Sequence, residues 1–173
     1  VTIQRLALTM DRGDILAQEE IPLHGHETTE DVTEIAAEKG SHMMVDVLQR
    51  IDLGDVVAVG QKESEASYCK LIRQKDAVIS WDESAETINR KVRAYYPWPV
   101  AHTFWKEKRL NIIEAHPYGE ADDSSFANEK PGKVLGVDKR AGILVQTIDD
   151  ILVVKKLQLQ SKKQMDWKAF ING

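Results

Sequence analysis

The chain has 173 residues, of which 42% are hydrophobic and 29% charged, and its formal net charge is −5. These values are ordinary for a soluble globular protein of one large domain or two small ones. The single cysteine, Cys69, excludes an internal disulfide framework, and no apolar run is long enough to span a membrane. Because the sequence shows no charged-then-apolar leader, we expect a cytoplasmic protein.

The charge is unevenly distributed along the chain. Residues 1–60 carry 4 Lys and Arg against 12 Asp and Glu, whereas residues 61–173 carry 19 against 16. An acidic half joined to a mildly basic half indicates a polyanionic partner for the second half. The alternative is ordinary surface charge without a partner.

Two strands joined by a tight turn are predicted at the start of the chain. Residues 1–8 and 15–23 have the apolar patterning of strands, and Gly13 supplies the permissive backbone of a turn at residues 10–14. The chain opens directly on the first strand, so we suspect a fragment cut from a larger sheet.

A helix and a linker follow these strands. Thr28 and Asp31 resemble a capping box, which predicts a helix from about Thr29 that ends near Gly54, with Gly40 as a candidate bend. Residues 60–65 are polar and indicate a linker. We therefore place a domain boundary after residue 60.

Residues 79–99 form the junction between the two halves. The pattern predicts a short strand that ends at Trp81, then a helix with Ser84 as its N-cap. The apolar face repeats at three- and four-residue spacing, and the opposite side is basic. Pro97 stops the helix because proline cannot continue it.

After the junction the hydrophobic period changes to two, which is typical of strands. Short strands are predicted at residues 102–105, 110–115, 132–137, 142–147 and 151–159. A mobile polar loop is predicted at residues 119–128, and a short helix at residues 165–170. Strands this short and this closely spaced predict a small closed or nearly closed barrel.

Asp11 is the leading candidate for chemistry. A carboxylate on a glycine-containing turn between two strands is well placed to orient a histidine or to accept a proton. The alternative is an aspartate that only stabilises its own turn. His24 and His26 lie close together, but no third ligand stands at zinc spacing, so we expect no metal.

Basic residues of the second half fall mostly on turns and strand ends, with aromatic residues nearby in sequence. They are Lys106, Lys108, Arg109, Lys133, Lys139, Arg140, Lys155, Lys156, Lys162 and Lys163. Small barrels commonly bind nucleic acid through such cationic grooves and aromatic faces. The alternative is that the aromatic residues form the barrel core and the lysines keep the surface soluble.

Several stretches together resemble one family, the methionyl-tRNA formyltransferases. Residues 10–16 resemble its Leu-Asp-Thr-Gly-Asp-Ile/Met-Leu signature, with Met10 and Arg12 departing from it. Residues 79–81 match its Ile-Asp-Trp, residues 93–99 its Arg-Ala-(aromatic)-x-Pro-Trp-Pro, and residues 131–135 its Pro-Gly-x-Ile/Val-Leu. The closing pattern at residues 163–173 also matches, and all the matches are collinear over the chain.

The resemblance implies an α/β remnant of a Rossmann-like formyltransferase domain followed by a β-rich barrel related to the OB fold. Members of the family move a formyl group from 10-formyltetrahydrofolate to the amine of methionyl initiator tRNA with a catalytic Asn, His and Asp. Only the Asp maps here, onto Asp11, and the family's upstream Asn-x-His is not in this sequence. We therefore expect the carboxyl-terminal portion of a monomeric enzyme, inactive by itself.

The resemblance also implies roles for further residues. Leu8, Thr9 and Met10 correspond to the loop that lines the family's folate pocket. From the basic set we predict five tRNA-binding residues, which are Lys106, Lys108, Arg109, Lys139 and Arg140.

Two alternatives remain open from the sequence. The first is a related enzyme, either an amino-sugar formyltransferase or the folate-hydrolysing module of formyltetrahydrofolate dehydrogenase, because the Pro-Trp-Pro signature occurs in sugar enzymes too. The second, from another class, is a non-catalytic nucleic-acid-binding module.

Overall fold

A computed structural model describes residues 1–119 and 129–173 of the chain. These residues form two compact units, Val1–Leu71 and Ile72–Gly173. The division falls later in the chain than the boundary that the linker composition predicts after residue 60. Most of the polar loop predicted at residues 119–128 lies outside the described residues.

The first unit (Val1–Leu71) contains a small antiparallel ladder and one long helix. Strand β1 (Thr2–Gln4) pairs with strand β2 (Ile15–Gln18), with Ile3 opposite Ala17. Both strands are shorter than the predicted ranges 1–8 and 15–23. The ladder becomes irregular after Ile3, and the chain then leaves it to form a loop.

Helix α1 (Thr29–Asp52) begins at the predicted capping box. The Asp31 backbone N–H donates to Thr28 Oγ1 at 3.2 Å, and the Thr28 N–H donates to Asp31 Oδ2 at 2.8 Å. Gly40 does not interrupt the helix. A Cβ built at Gly40 would lie 3.4 Å from a methyl carbon of Val1, which is an ordinary van der Waals contact, so the packing does not require glycine at this position.

The core of the first unit is small. Val47 of α1 packs with Ile3 of β1 and Leu16 of β2, and all three are buried. Several large apolar residues of α1 are nevertheless exposed, namely Met44, Val45, Leu48 and Ile51.

The second unit (Ile72–Gly173) opens with a short 3-10 helix (Gln74–Ala77), and the chain does not form the strand predicted at residues 79–81. That prediction is wrong because only one isolated parallel bridge forms, between Val78 and His102, with the Ile79 N–H donating to the His102 carbonyl at 2.8 Å. The chain then turns at Trp81 into the next helix, so no run of paired residues develops.

Helix α2 (Ala85–Ala94) follows as predicted. Ser84 is its N-cap, since the Ser84 Oγ accepts from the Thr87 N–H at 3.1 Å. Ile88 and Val92 lie fully buried one turn apart on the inward face. Burial of this face against the sheet is the main stabilising term for a helix of this length.

One antiparallel sheet forms most of the second unit. Its strands are β3 (His102–Trp105), β4 (Lys108–Pro117), β5 (Val134–Asp138), β6 (Gly142–Gln146), β7 (Ile151–Leu159) and β8 (Met165–Asp166). The strand order is β3-β4-β7-β6-β5, with β8 pairing beside β7. Helix α3 (Trp167–Asn172) closes the chain.

The sheet is curled into a half-barrel, in agreement with the β-rich prediction. Irregular register between Ile112 and Ala115 bends β4 where it pairs with β7, since a bulge increases local twist. In the described ranges, β3 and β5 are the two edges of the sheet and do not pair with each other. The five predicted strands are confirmed to within a few residues, and the sequence missed only the short β8.

The core of the second unit lies between α2 and the concave sheet. Ile88 and Val92 pack with Ile112 of β4 and with Leu152 and Leu157 of β7. Within the described ranges, no helix combines the length and apolar character that crossing a membrane needs.

Candidate functional site

The loop between β1 and β2, residues 5–14, carries Asp11 and is called the Asp11 turn below. Asp11 adopts the left-handed backbone region with φ 59°, which aspartate tolerates better than most residues. Gly13 is required for a different reason from the predicted one. It is not among the residues with positive φ, but a Cβ at Gly13 would lie 1.7 Å from the Arg5 carbonyl oxygen.

The Asp11 carboxylate accepts one side-chain hydrogen bond, from Gln4 Nε2 to Asp11 Oδ1 at 3.3 Å. Gln4 is the last residue of β1, so this donor is placed by the ladder. The Asp11 side chain is exposed, which leaves its second oxygen accessible to a ligand or to another protein group.

Gln61 contacts the same turn from the far end of the first unit. Gln61 Nε2 lies 2.8 Å from each of the backbone carbonyl oxygens of Asp11 and Gly13 and 3.1 Å from Gln4 Oε1, so its two N–H groups are shared among three acceptors. Sequence reasoning placed Gln61 in a linker and missed it. The sequence signal that could have predicted this contact is the apolar run at residues 56–59, because such a run is able to pair with β2 and would place Gln61 near the turn.

Arg12 fixes the outer side of the turn. Its guanidinium donates to the Tyr68 hydroxyl at 2.6 Å and forms an ion pair with Glu63 at 2.6 Å. The hydrogen bond with Tyr68, followed by the charge of Glu63, raises the pKa of Arg12, so the guanidinium stays charged. The family has Thr in the signature where this chain has Arg12, and the structure uses the longer side chain to hold the segment that follows Gln61.

The predicted folate-contacting residues lie on the same loop as Asp11. Leu8 and Met10 are almost fully exposed, as is Leu6, and Thr9 accepts the Arg12 N–H at 3.4 Å through its carbonyl oxygen. Large apolar side chains on one exposed loop are typical of a surface that a ligand or partner covers. Leu6 belongs to this set although the sequence analysis did not select it.

His24 and His26 lie just before α1, beside Glu27. His24 and His26 stack with ring centroids 6.0 Å apart, and their backbone N–H groups donate to the Glu27 carboxylate. The bond from the His24 backbone, followed by those from the backbone N–H groups of Glu27 itself and Gly25, lowers the pKa of Glu27 to about 2. Among residues 1–119 and 129–173, no cluster of three or more His, Cys, Asp or Glu is arranged to hold a metal.

In the second unit, three predicted tRNA-binding residues lie at or beside the β3–β4 hairpin turn. Lys106 and Glu107 form this turn with φ 47° and 64°, and Lys106 Nζ lies 4.5 Å from the centre of the Trp105 ring. Trp105 also meets Phe170 edge-to-face, at 5.6 Å between centroids. Lys108, the first residue of β4, is exposed. The tip therefore presents two ammonium groups beside accessible aromatic rings.

Arg109 is the third member of this group, and its guanidinium turns towards the protein. Arg109 Nη2 donates to the Pro99 carbonyl oxygen at 2.9 Å, and Arg109 Nε donates to Asn111 Oδ1 at 2.8 Å. Asn111 is held in turn by Gln158 at 3.0 Å. This geometry assigns Arg109 to the loop at residues 96–100, which the sequence analysis did not foresee.

Lys139 and Arg140 form the turn between β5 and β6. Asp138 Oδ1 accepts the backbone N–H groups of Arg140 at 2.6 Å and Ala141 at 2.8 Å, which fixes the turn. Arg140 borders an open groove of about 590 Å³. Other residues lining the groove are Glu114, Lys155, Lys156, Asp166 and Trp167. The structure therefore divides the predicted tRNA-binding residues between two places on the second unit.

Comparison with known proteins gives a consistent result. Residues 71–173 match the family described as "Formyl transferase, C-terminal domain". The whole chain is 43% identical to a methionyl-tRNA formyltransferase of Treponema denticola and 32% identical to one of Carboxydothermus hydrogenoformans. In both cases it covers 54% of the relative, so the chain spans about half the length of the curated relatives it matches.

Solved structures share the fold at lower identity. HypX from Aquifex aeolicus, solved with tetrahydrofolic acid, superimposes with a TM-score of 0.67 at 20% identity, over 98% of this chain and 29% of HypX. An N-formyltransferase from Helicobacter canadensis gives 0.62 at 16% identity, over 88% of this chain and 54% of that protein. The methionyl-tRNA formyltransferase from Clostridium thermocellum gives 0.52 at 17%, over 91% and 54%.

The resemblance seen in the sequence motifs is thereby confirmed. The family match begins at residue 71, next to the division between the two compact units, and it contains the whole curled sheet with α2 and α3. The chain belongs to the formyl transferase C-terminal domain family.

Proposed function

We propose that this chain is the carboxyl-terminal part of a methionyl-tRNA formyltransferase, which moves a formyl group from 10-formyltetrahydrofolate to the amine of methionyl initiator tRNA. The observation that carries the proposal is the 43% identity with the Treponema denticola enzyme along all 173 residues. The similarity includes the first unit, where the Asp11 turn lies, as well as the second. The proposal includes a monomeric, cytoplasmic protein that needs no metal.

In this proposal the Asp11 carboxylate orients the catalytic histidine that the family supplies from upstream, and it favours the charged form of that histidine. Gln4 supports this role because its hydrogen bond to Asp11 Oδ1 fixes one carboxylate oxygen and leaves the other accessible. When bound, 10-formyltetrahydrofolate supplies the formyl carbonyl that the amine attacks.

The exposed apolar residues of the Asp11 turn support the proposal that it contacts the folate. Exposed Leu6, Leu8 and Met10 offer an apolar surface that a flat ring system can cover. Leu8, Thr9 and Met10 are therefore proposed to contact the folate, with Leu6 added from the structure.

The second unit is proposed to bind the tRNA. Lys106 and Lys108 offer charges for phosphates beside Trp105, and Lys139 and Arg140 add charges at the β5–β6 turn. Cationic side chains with accessible aromatic rings are typical of surfaces that bind single-stranded nucleic acid. The curled sheet also supports a relation to the OB fold, which we keep as part of the proposal. Arg109 acts indirectly here, by fixing the loop at residues 96–100.

The catalytic part is tested by Asp11→Asn in the complete gene product that contains this chain. We expect formylation of methionyl initiator tRNA to fall by about 100-fold or more, as loss of a group that assists proton transfer does, with unchanged folding by circular dichroism. Unchanged turnover would remove Asp11 from the mechanism. Formylation of a nucleotide-linked amino sugar in place of the tRNA would favour the sugar-enzyme alternative.

The binding part is tested with the 173-residue chain and initiator tRNA over a salt series. Neutralising Lys106 and Lys108 together is expected to weaken binding and to flatten the dependence of log K on log salt by up to about 0.9 for each phosphate that the variant no longer neutralises. Lys133→Ala is the matched control, because Lys133 is already paired with Glu129 at 2.5 Å. If Lys133→Ala weakened tRNA binding as much as neutralising Lys106 and Lys108 does, the result would contradict a specific role for the β3–β4 hairpin turn.

A further inference from the structure

Gln61 reaches the Asp11 turn because of a short pairing next to β2. The Ile15 N–H donates to the Val59 carbonyl at 2.8 Å, and the Val59 N–H donates to the Ile15 carbonyl at 2.9 Å. In this antiparallel arrangement, the residue two positions after Val59 lies opposite the residue two positions before Ile15. Gln61 is thereby placed opposite Gly13.

The orientation of the Gln61 amide is fixed by its neighbours. The carbonyl oxygens of Asp11 and Gly13 only accept hydrogen bonds, so the amino group of Gln61 must face them, as it does at 2.8 Å from each. The same nitrogen lies 3.1 Å from the side chain of Gln4, which must then present its oxygen.

This arrangement determines which end of Gln4 meets Asp11. With its oxygen towards Gln61, Gln4 directs its amino group at Asp11 Oδ1, 3.3 Å away. A chain of donors therefore runs from Gln61 to Gln4 and from Gln4 to the Asp11 carboxylate. Gln61 acts on Asp11 twice, through the backbone carbonyl and through the Gln4 amide.

We propose that Gln61 is a positioning residue for Asp11, holding the backbone of the turn and orienting the Gln4 amide that bonds the carboxylate. This inference rests on the proposed role of Asp11 in formyl transfer. Gln61 itself does not touch the reacting groups. Its contribution is to keep a carboxylate on an exposed loop in one position, which a reaction sensitive to small displacements requires.

The test compares Gln61→Glu, Gln61→Ala and Gln61→Lys in the complete gene product. Glutamate keeps the shape of glutamine but places a carboxylate against three oxygens, alanine removes the hydrogen bonds, and lysine restores a donor of similar reach. Gln18→Glu is the matched control, because Gln18 Nε2 donates to Thr2 Oγ1 at 3.0 Å, at the end of the same ladder away from Gln4.

We expect kcat to fall in the order wild type, lysine, alanine, glutamate, with a loss of about 10- to 100-fold for Gln61→Glu. The KM for the tRNA should change little, because the proposed tRNA contacts lie elsewhere. If Gln61 only filled space, Gln61→Glu would be the mildest variant, and that order would overturn the proposal. Equal losses in Gln61→Glu and Gln18→Glu would overturn it as well.

Amide hydrogen exchange in the 173-residue chain separates this inference from the proposed function. We expect Gln61→Glu to speed exchange at the Arg5 and Arg12 amides roughly tenfold, as loss of about two hydrogen bonds would, and to leave α1 unchanged. If the wild-type gene product formylates nothing while the turn still loosens, the proposed function has failed and the positioning contact stands. Unchanged exchange at Arg5 and Arg12 would overturn the positioning contact itself.

Discussion

Each unit holds an irregular loop through one long side chain that donates to backbone carbonyl oxygens. In the first unit, Gln61 donates to Asp11 and Gly13. In the second, Arg109 donates to Pro99 at 2.9 Å, next to Val100. Each loop also contains one non-glycine residue in the left-handed region, Asp11 at φ 59° and Val100 at φ 67°.

The two loops differ in what surrounds the donor. Arg109 is partly buried and braced by Asn111, and the loop that it holds leads directly into the buried residues Ala101 and His102. The loop that Gln61 holds has exposed side chains throughout residues 5–12. A left-handed β-branched residue such as Val100 is strained and persists where surrounding structure over-determines it. From the comparison we expect Arg109 to stabilise its unit, and Gln61 to act mainly on the conformation of the exposed Asp11 turn.

The largest effect is expected for Gly13→Ala, which tests how tightly the Asp11 turn is packed. The added Cβ would meet the Arg5 carbonyl oxygen at 1.7 Å, so the backbone must move. We expect the first unit to lose about 3 kcal/mol of its free energy of unfolding, as severe steric substitutions do. Denaturant unfolding followed by circular dichroism measures the loss.

Gly60→Ala is the matched control for that change. A Cβ at Gly60 has only Asp14 Oδ1 nearby, at 3.9 Å, so its effect should stay below about 1 kcal/mol. If Gly13→Ala and Gly60→Ala unfolded at the same denaturant concentration, the Asp11 turn would not be tightly packed around Gly13. That result would contradict the prediction.

A somewhat smaller effect is expected for Arg109→Ala, which tests the other loop. The change leaves the Pro99 carbonyl oxygen and Asn111 Oδ1 without their donor. Hydrogen bonds to charged groups contribute about 1.5–3 kcal/mol, and we expect a loss of about 2 kcal/mol from the second unit. Lys108→Ala, one residue away and exposed, should change the free energy of unfolding by less than about 0.5 kcal/mol.

Tryptophan fluorescence during unfolding reports on the Arg109 variant, because all four tryptophans lie in the second unit. A loss of tRNA binding with unchanged stability would place the Arg109 guanidinium on the tRNA instead of on the loop. In that case Arg109 would not be the residue that stabilises the loop at residues 96–100, and the comparison between Arg109 and Gln61 would no longer hold.

The regular elements of both units follow from local sequence signals. The capping box at Thr28, the N-cap at Ser84 and the alternating strands predicted α1, α2 and five strands of the sheet, because each signal acts within a few residues of itself. Asp11 and its neighbours were found through a motif. The structure places them on one exposed loop, and their role remains a prediction.

The features missed by the sequence analysis depend on contacts between distant residues. Gln61 meets Asp11 across 50 positions, and Arg109 meets Pro99 through a loop and a hairpin, so no local pattern records either contact. The prediction of a strand at residues 79–81 was wrong because strand formation also depends on pairing with residues elsewhere in the chain. Its apolar residues suit a strand, but pairing there is limited to the single bridge at Val78.

The smallest expected effect is a difference in how the two units respond to acid. Burial, with a further contribution from Arg109, lowers the pKa of His102 in the second unit below its usual 6.5. The unfolded chain therefore binds this proton first, and the second unit loses stability as the pH falls below about 6.5. In the first unit, backbone hydrogen bonds lower the pKa of Glu27 to about 2 from 4.5, so its contribution is complete above pH 4.5 and disappears as the pH falls towards 2.

Between pH 6.5 and 4.5, His102 lowers the stability of the second unit, whereas Glu27 does not yet affect the first unit. Amide hydrogen exchange in α2 relative to α1, corrected for intrinsic exchange rates, measures this difference in stability. We expect protection in α2 to fall over this range while protection in α1 holds. His102→Gln should remove most of the pH dependence, although His116, whose pKa is also lowered by burial, leaves a remainder of the same sign. The control variant His42→Gln, on the exposed side of α1, should leave the pH dependence of protection in α2 unchanged. Equal loss of protection in α1 and α2 would contradict this prediction. It would show that burial of His102, next to the loop that Arg109 contacts, does not make the second unit more sensitive to acid than the first.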